Sequence, residues 1–360
     1  MKSKKEENNK KTVIYLVGII VILAIVLFFL NSGREYGSTN SNIGHSTETG
    51  QGTSALEGEI KTTSDGTKYI INPNLIRGGG PPKGGIGVDR GIPALAEENI
   101  NFVTVSEADD WIEDNELILV LLRGDIVRVY PLQIMVWHEI ANDRINGDLI
   151  AVTYCPLCGS GIGYEAVVEV DGEKKETRFG TSGKLYNSNL VMYDELTDTY
   201  WQQIDGIAIV GELTGQELVE ISVDTVVWRD FKTSSLAEDA DVLSQNTGMT
   251  RAYGRDPYGN YYENSFLLFP VDNEDNSVHP KTPIVGIEVN GEFKAYREDE
   301  VRELGKIEDN VGGVDIIVES GEAGIIVITN KETGEEIVKE RDFWFAWYAF
   351  HPDTNLYELE

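Results

Sequence analysis

Asp143 to Val152 reads DRINGDLIAV, and Asp309 to Val318 reads DNVGGVDIIV. The two stretches align without gaps at an offset of 166 residues, 143 falling on 309. Each opens on an acidic residue, turns at glycine and ends in a β-prone apolar run. Upstream, GDIVRVYP (Gly124 to Pro131) resembles GEFKAYR (Gly291 to Arg297), with one residue of slippage. The chain therefore reads as two weakly related, β-rich halves. Carried forward, the offset sets Cys155 and Cys158 opposite Gly321 and Gly324, and His138 opposite Leu304. The second half keeps the strands and lacks the thiols. That pattern is expected if the strands serve the fold and the thiols serve something else.

Beyond Leu117 the pattern is mainly β, with an α+β minority. Asp171-Gly172 separates EAVVEV from EKKETRF, and Asn290-Gly291 separates VGIEV from EFKAY. Both pairs predict hairpins, because a type I′ turn needs positive φ at two positions. Gly124 plays the same part between LILVLL and DIVRVY, so the letters RGD at Arg123 to Asp125 are a hairpin tip. Few helices are expected: around Ser106 to Asp114, Pro131 to Ala141 and Arg297 to Leu304. The glycine- and proline-dense run RGGGPPKGGIG (Arg77 to Gly87) lacks the GK[ST] ending of a phosphate loop and reads as a surface loop.

Val13 to Leu30 is 18 residues without a charge, about the minimum that spans a bilayer as a helix. Lys2, Lys4, Lys5, Lys10 and Lys11 precede it. The positive-inside rule then sets residues 1–12 in the cytoplasm as a basic tail, 13–30 in the membrane as an anchor, and the rest outside the cell. NSGREYG after the apolar run offers no A-x-A-like cleavage site, which argues against a cleaved signal peptide. Residues 31–64 are rich in Gly, Ser, Thr and Asn and read as a flexible tether. The remainder divides into a domain over 65–280 and a C-terminal partial repeat over 281–360. A net charge of -31 repels phosphate backbones and argues against nucleic acid as a partner.

Cys155 and Cys158 are the only cysteines in 360 residues. A structural disulfide here would close a very short loop, worth roughly 2 kcal/mol against about 4.7 for a 100-residue loop. A second reading is redox chemistry, one sulfur attacking and the other resolving. The pair does not open a long helix, as it does in thioredoxin, because Gly159, Ser160 and Gly161 follow at once. A third reading is a metal site for zinc or copper, using both sulfurs and His138. A zinc ribbon needs a second knuckle, and the sequence has none. His138 and its neighbour Glu139 are also candidate proton carriers for the redox reading. His279 and His351, each before a proline, read as turn residues. WQQIDG (Trp201 to Gly206), after the turn DELTDTY, reads as a site wall.

The runs GGGPPKGGIG, YPLQIMVWHEIANDRINGDLIAVTYCPLCGSG, FGTSGKLYNSNLVMYDELTDTYWQQIDG and RAYGRDPYGNYY together resemble the DUF3179 family of bacterial and archaeal proteins. Several unusual motifs recur in one order across most of residues 70–290. Some members are described as selenoproteins, with selenocysteine in the C-x-x-C region. Carried to Cys155 and Cys158, that resemblance implies redox chemistry over a staple.

The expectation is a membrane-anchored, extracytoplasmic, β-rich protein, not thioredoxin-like, acting as a thiol–disulfide oxidoreductase through Cys155 and Cys158. Its partners would be the lipid bilayer and a redox partner. The alternatives are a metal-binding or metal-delivery module on Cys155, Cys158 and His138, served by a metal donor, and a binding domain with an inert disulfide.

Overall fold

The offset of 166 residues runs from the first hairpin through the meander, and past the insertion the matching elements stand 114 to 116 residues apart. The computed structural model describes residues 59–81, 83 and 91–358. In the first copy, β1 (Leu117–Arg123) and β2 (Ile126–Pro131) form a hairpin that runs into α1 (Leu132–His138). β3 (Ile140–Ile145), β4 (Asp148–Cys155) and β5 (Ser160–Glu165) then form a meander. After an insertion, β6 (Val223–Val227) joins the free edge of β1. The helix α2 (Trp228–Lys232) and β7 (Asp241–Leu243), parallel to β2, complete the copy.

The second copy repeats this order. β8 (Pro283–Val289), β9 (Glu292–Arg297) and α3 (Glu298–Leu304) match the first hairpin and helix. β10 (Lys306–Val311), β11 (Val314–Ser320) and β12 (Ile326–Asn330) match the meander. β13 (Glu340–Phe343) pairs with β8, α4 (Trp344–Phe350) follows, and β14 (Asn355–Leu356) lies parallel to β9. The expected slippage is absent. The first tip uses Gly124 at positive φ and the second uses Asn290 at the same place, so the glycine moves by one letter while the strands stay in register.

The repeated letters make repeated bonds. Tyr130 Oη donates to Asp143 Oδ2 at 2.7 Å, and Tyr296 Oη donates to Asp309 Oδ2 at 2.9 Å. Arg128 and Lys294 pair with the same two aspartates, each at 3.3 Å. Trp228 Nε1 donates to Asp109 at 2.9 Å, as Trp344 Nε1 does to Asp275 at 2.9 Å. The aspartate that opens DRING and DNVGG therefore ties each meander to its own hairpin. Trp228, Trp344 and Trp347 are buried, and each contributes roughly 3 kcal/mol from apolar burial before ordering costs. The helices α2 and α4 were not expected from sequence. WFAWYAF is buried nearly all round, so it shows no amphipathic period to read.

The copies differ in one large insertion. Residues 166–222 leave β5 and build a second sheet from Phe179–Tyr186, Asn189–Asp194, Tyr200–Gln202 and Ala208–Val210. Asp194, fully buried, holds its turn by accepting from the Thr197 and Thr199 amides and from Trp201 Nε1. The insertion packs against the β4–β5 turn and against α4, forming one core with them.

The protein is mostly β with few helices. Helices form at Leu132–His138 and Glu298–Leu304 as expected, and a single turn forms at Val105–Ala108. Among the described residues no helix is long and apolar enough to cross a membrane. The expected anchor Val13 to Leu30, the basic tail and most of the tether lie outside the described residues. The last part of that tether is ordered: Lys61–Thr62 pairs with Lys68–Tyr69 at the edge of the inserted sheet.

Candidate functional site

Strand β4 ends at Cys155 and β5 starts at Ser160, so the cysteines close a single turn between two strands. The Cys158 amide donates to Cys155 O at 3.1 Å. The second copy turns at the same place without sulfur, Gly324 N donating to Gly321 O at 3.3 Å, but by a different path: its strands pair one residue out of step with those of the first copy, and Ala323 and Gly324 take positive φ where the first turn has only Gly159. Gly159 has φ +64°, and a Cβ there would stand 2.8 Å from the Phe343 ring, so only glycine fits. Both cysteines are free and buried. Burial and the neighbouring Cys155 raise the Cys158 thiol well above its ordinary range.

A hairpin tip from the inserted sheet reaches the sulfurs. Asn187 and Ser188 stand at φ +48° and +66°, a conformation that costs a serine about 1 kcal/mol. The turn presents the Ser188 carbonyl 3.5 Å from Cys158 Sγ and 3.9 Å from Cys155 Sγ. Asn189 Nδ2 lies 3.6 Å from Cys158 Sγ and donates to Gln203 Oε1 at 2.6 Å. Gln203 in turn donates to Thr153 at 3.0 Å and Ser160 at 3.2 Å. The thiols thus face a buried amide and hydroxyl network. From WQQIDG, Gln203 reaches this network through Asn189.

His138 is fully buried at the end of α1. Its Nδ1 donates to Pro93 O at 2.8 Å, and its Nε2 accepts from Tyr253 Oη at 2.7 Å. Burial lowers it to about 4, so the ring is neutral, and both nitrogens already have partners. Glu139 caps the same helix at φ +58°, where the second copy has Gly305 at φ +74°. Left-handed caps favour glycine, so a glutamate costs about 1 kcal/mol of backbone strain. Its carboxyl is buried and raised to about 8 by desolvation. Strain and desolvation therefore meet at this one residue.

A cover lies over the turn. Tyr261 Oη donates to Leu157 O, between the two cysteines, at 3.1 Å. Tyr258 lies within electrostatic range of both Glu139 and Cys155, and burial raises its phenol. Lys281 Nζ clasps this segment by donating to the carbonyls of Tyr261, Asn264 and Phe266 at 2.6, 2.6 and 2.7 Å. Beside the cover opens a cleft of about 690 Å³, lined by Tyr154, Asp256, Tyr262, Lys281, Arg341 and Phe343. Arg341 reaches from it to donate to Gly159 O at 2.8 Å.

Sequence reading found the turn and missed most of its surroundings. RAYGRDPYGNYY was noted as a motif, and its tyrosines form the cover. KERDF (Lys339 to Phe343) carried a usable signal, since four charges entering an aromatic helix are unusual for a core strand. His279 accepts from the Lys281 amide at 3.2 Å, as a turn residue does. His351 opens a turn as expected, its carbonyl accepting from the Thr354 amide at 3.1 Å, and it is also buried at the end of α4. Among the described residues, the group with ligand atoms within 4.8 Å of one another is Asp205, Glu340 and His351.

No curated protein and no solved structure matches the chain. The model of the family described as a protein of unknown function (DUF3179) matches residues 89–336. That span runs from the segment before the first hairpin, through the cysteine turn and the inserted sheet, to just past the meander of the second copy, and the chain belongs to the DUF3179 family.

Proposed function

We propose that the chain is a thiol–disulfide redox protein, anchored in the membrane by residues 13–30, with its β frame outside the cell. One observation supports this reading: the second copy joins the corresponding strands without sulfur, through Gly321 and Gly324, while the first copy places two free cysteines there. The pair is free, and the strained tip at Asn187 and Ser188 is brought to it rather than to the second turn.

The chemistry follows ordinary thiol exchange. Cys158 is held protonated by burial, which makes it the resolving sulfur and Cys155 the attacking one. The Cys155 thiolate attacks a disulfide of the partner, forming a mixed disulfide and releasing one partner thiolate, which takes a proton. Cys158 then loses its proton and attacks Cys155 Sγ, releasing the second partner thiol and leaving a Cys155–Cys158 disulfide. Two electrons and two protons pass to the partner. Glu139, raised to about 8, exchanges protons near neutral pH and is the proposed carrier. His138 is a positioning residue, since both ring nitrogens are engaged with Pro93 and Tyr253. That engagement also removes support from a Cys155, Cys158 and His138 metal site. The cover over Leu157 must move for a partner to reach Cys155.

The full chain, in detergent, is incubated with glutathione disulfide and weighed by mass spectrometry. Cys158→Ser is expected to hold one glutathione on Cys155, while the wild type releases it and loses two hydrogens. If neither protein takes up glutathione while folded, the redox reading fails. The orientation is tested by labelling intact cells with a membrane-impermeant lysine reagent: labelling of the frame supports it, and labelling only after lysis overturns it.

A further inference from the structure

A second group of polar side chains lies near the thiols but faces another cavity. Asp205 follows the strand Tyr200–Gln202, its amide held by Gln202 Oε1 at 2.8 Å. Glu340 and Asp342 alternate along β13 and share a face, while Lys339 and Arg341 point the other way, to Asp224 and Glu298. Gly286 on β8 leaves room for the Trp347 indole, which a Cβ there would meet at 2.6 Å. His351 then stacks on Phe293 at 4.3 Å and lies tilted against Trp347 at 4.1 Å. The two rings clamp the imidazole and aim its edge at the acids.

These groups lack the partners that buried polar atoms need. Both oxygens of the fully buried Asp342 have no hydrogen-bond partner. The same holds for Asp205 Oδ2, Glu220 Oε1 and Glu340 Oε2. His351 is 3 % exposed, makes no hydrogen bond at either nitrogen, and has Nε2 3.3 Å from Asp205 Oδ1. Leaving so many buried acceptors unsatisfied is expensive unless something positive sits among them.

The other copy shows that the fold does not demand this. Glu340 occupies the strand position of Asp224, since β13 pairs with β8 as β6 pairs with β1. Asp224 is satisfied: it pairs with Lys339 at 3.1 Å and accepts from the Ile326 amide at 3.1 Å. Its counterpart has neither partner and instead lines a cavity of about 240 Å³ with Asp205, Glu220 and His351.

We propose that Asp205, Glu340 and His351 bind one divalent first-row transition-metal ion, with the carboxylates of Glu220 and Asp342 around it. The ligand atoms lie within 4.8 Å of one another, so shifts of at most about 0.7 Å each would close them on bonds near 2.1 Å. Carboxylate oxygens with one imidazole suit Mn²⁺ or Zn²⁺ better than the all-oxygen sites of Ca²⁺ or Mg²⁺. This site shares no ligand with the cysteine turn and stands independently of the redox reading.

The test is equilibrium dialysis of the full chain, in detergent, against 10–100 micromolar Mn²⁺ or Zn²⁺ (roughly the range over which a built site of this donor set fills), with metal counted by mass spectrometry. One equivalent is expected for the wild type, and at least a tenfold weaker affinity for Glu340→Gln and for His351→Ala. Glu340→Gln keeps the shape of the side chain, and its metal-free melting temperature is expected to match or exceed the wild type. Cys155→Ser is expected to keep the metal. No bound ion in the wild type overturns the proposal, as does binding that survives both cluster substitutions or is lost in Cys155→Ser.

Discussion

The two copies of the frame share a backbone and differ in where they keep unfavourable side chains. At the helix cap the second copy has Gly305 and the first has Glu139. At the next turn the second has Gly321 and Gly324 and the first has Cys155 and Cys158. At the edge strand the relation inverts: Asp224 of the first is satisfied and Glu340 of the second is not. Each copy therefore supplies a control for the other. Where one copy folds with a plain residue, the costly residue in its twin is not there for folding.

The largest test of that comparison is at the thiols. Cys155→Ser and Cys158→Ser should each lower thiol–disulfide exchange at least 100-fold, since no second sulfur completes the step, and should shift stability by only about 1 kcal/mol. Exchange with glutathione disulfide and urea unfolding measure the two effects. A variant that loses its fold would show that the first copy's turn needs its sulfurs.

Glu139→Gly installs the residue of the second copy and should stabilise the protein while slowing exchange. The gain depends on pH. The folded carboxyl titrates near 8 against an ordinary 4.5, so the folded state holds a proton that the unfolded state releases between those values. The stability it contributes is complete below about 4.5 and is lost as pH rises through 8. Relative to Glu139→Gln, the wild type should lose on the order of 3 kcal/mol between pH 5 and 8.5, read from denaturant midpoints. A parallel pH dependence in the two proteins would show that Glu139 is not desolvated as described.

The shared tyrosine–aspartate bond offers a smaller comparison. Tyr130→Phe strands Asp143, which is buried, while Tyr296→Phe strands Asp309, which is partly open to water. The first should cost about 2 kcal/mol and the second about 1 kcal/mol. Equal costs would mean that the two hairpins are tied down alike. Smallest is Asp342→Asn. The Asp342 charge helps hold the Cys158 thiol up, so alkylation of Cys158 should quicken by about twofold to threefold in the variant. No change would separate β13 electrostatically from the thiols.

How much of this was legible in sequence follows from the range of each interaction. Hairpins read well because their turns are local: Asp171-Gly172 and Asn290-Gly291 must take positive φ wherever they occur. The repeat was legible through DRINGDLIAV, because Asp143 and Asp309 make the same bond to a tyrosine 13 residues back. The apparent slippage upstream came from following the glycine rather than the strand. The cysteine turn was evident from spacing alone. Its surroundings were not, because Asn189, Gln203 and Tyr261 arrive from segments 30 to more than 100 residues away. The burial of His351 was not legible for the same reason, its setting made by Phe293 and Trp347. The helix α4 escaped notice because a segment buried on all sides has no polar face to mark its period.

The central claim is that Cys155 and Cys158 form a reversible couple, and a redox titration tests it most directly. The full chain is equilibrated across a series of glutathione buffers, quenched with acid and counted for thiols. The account predicts one two-electron step, from two thiols to none, reversed by returning the protein to reducing buffer, and absent in Cys155→Ser. A count that stays at two across the series, or a disulfide that cannot be reduced without unfolding, would contradict it.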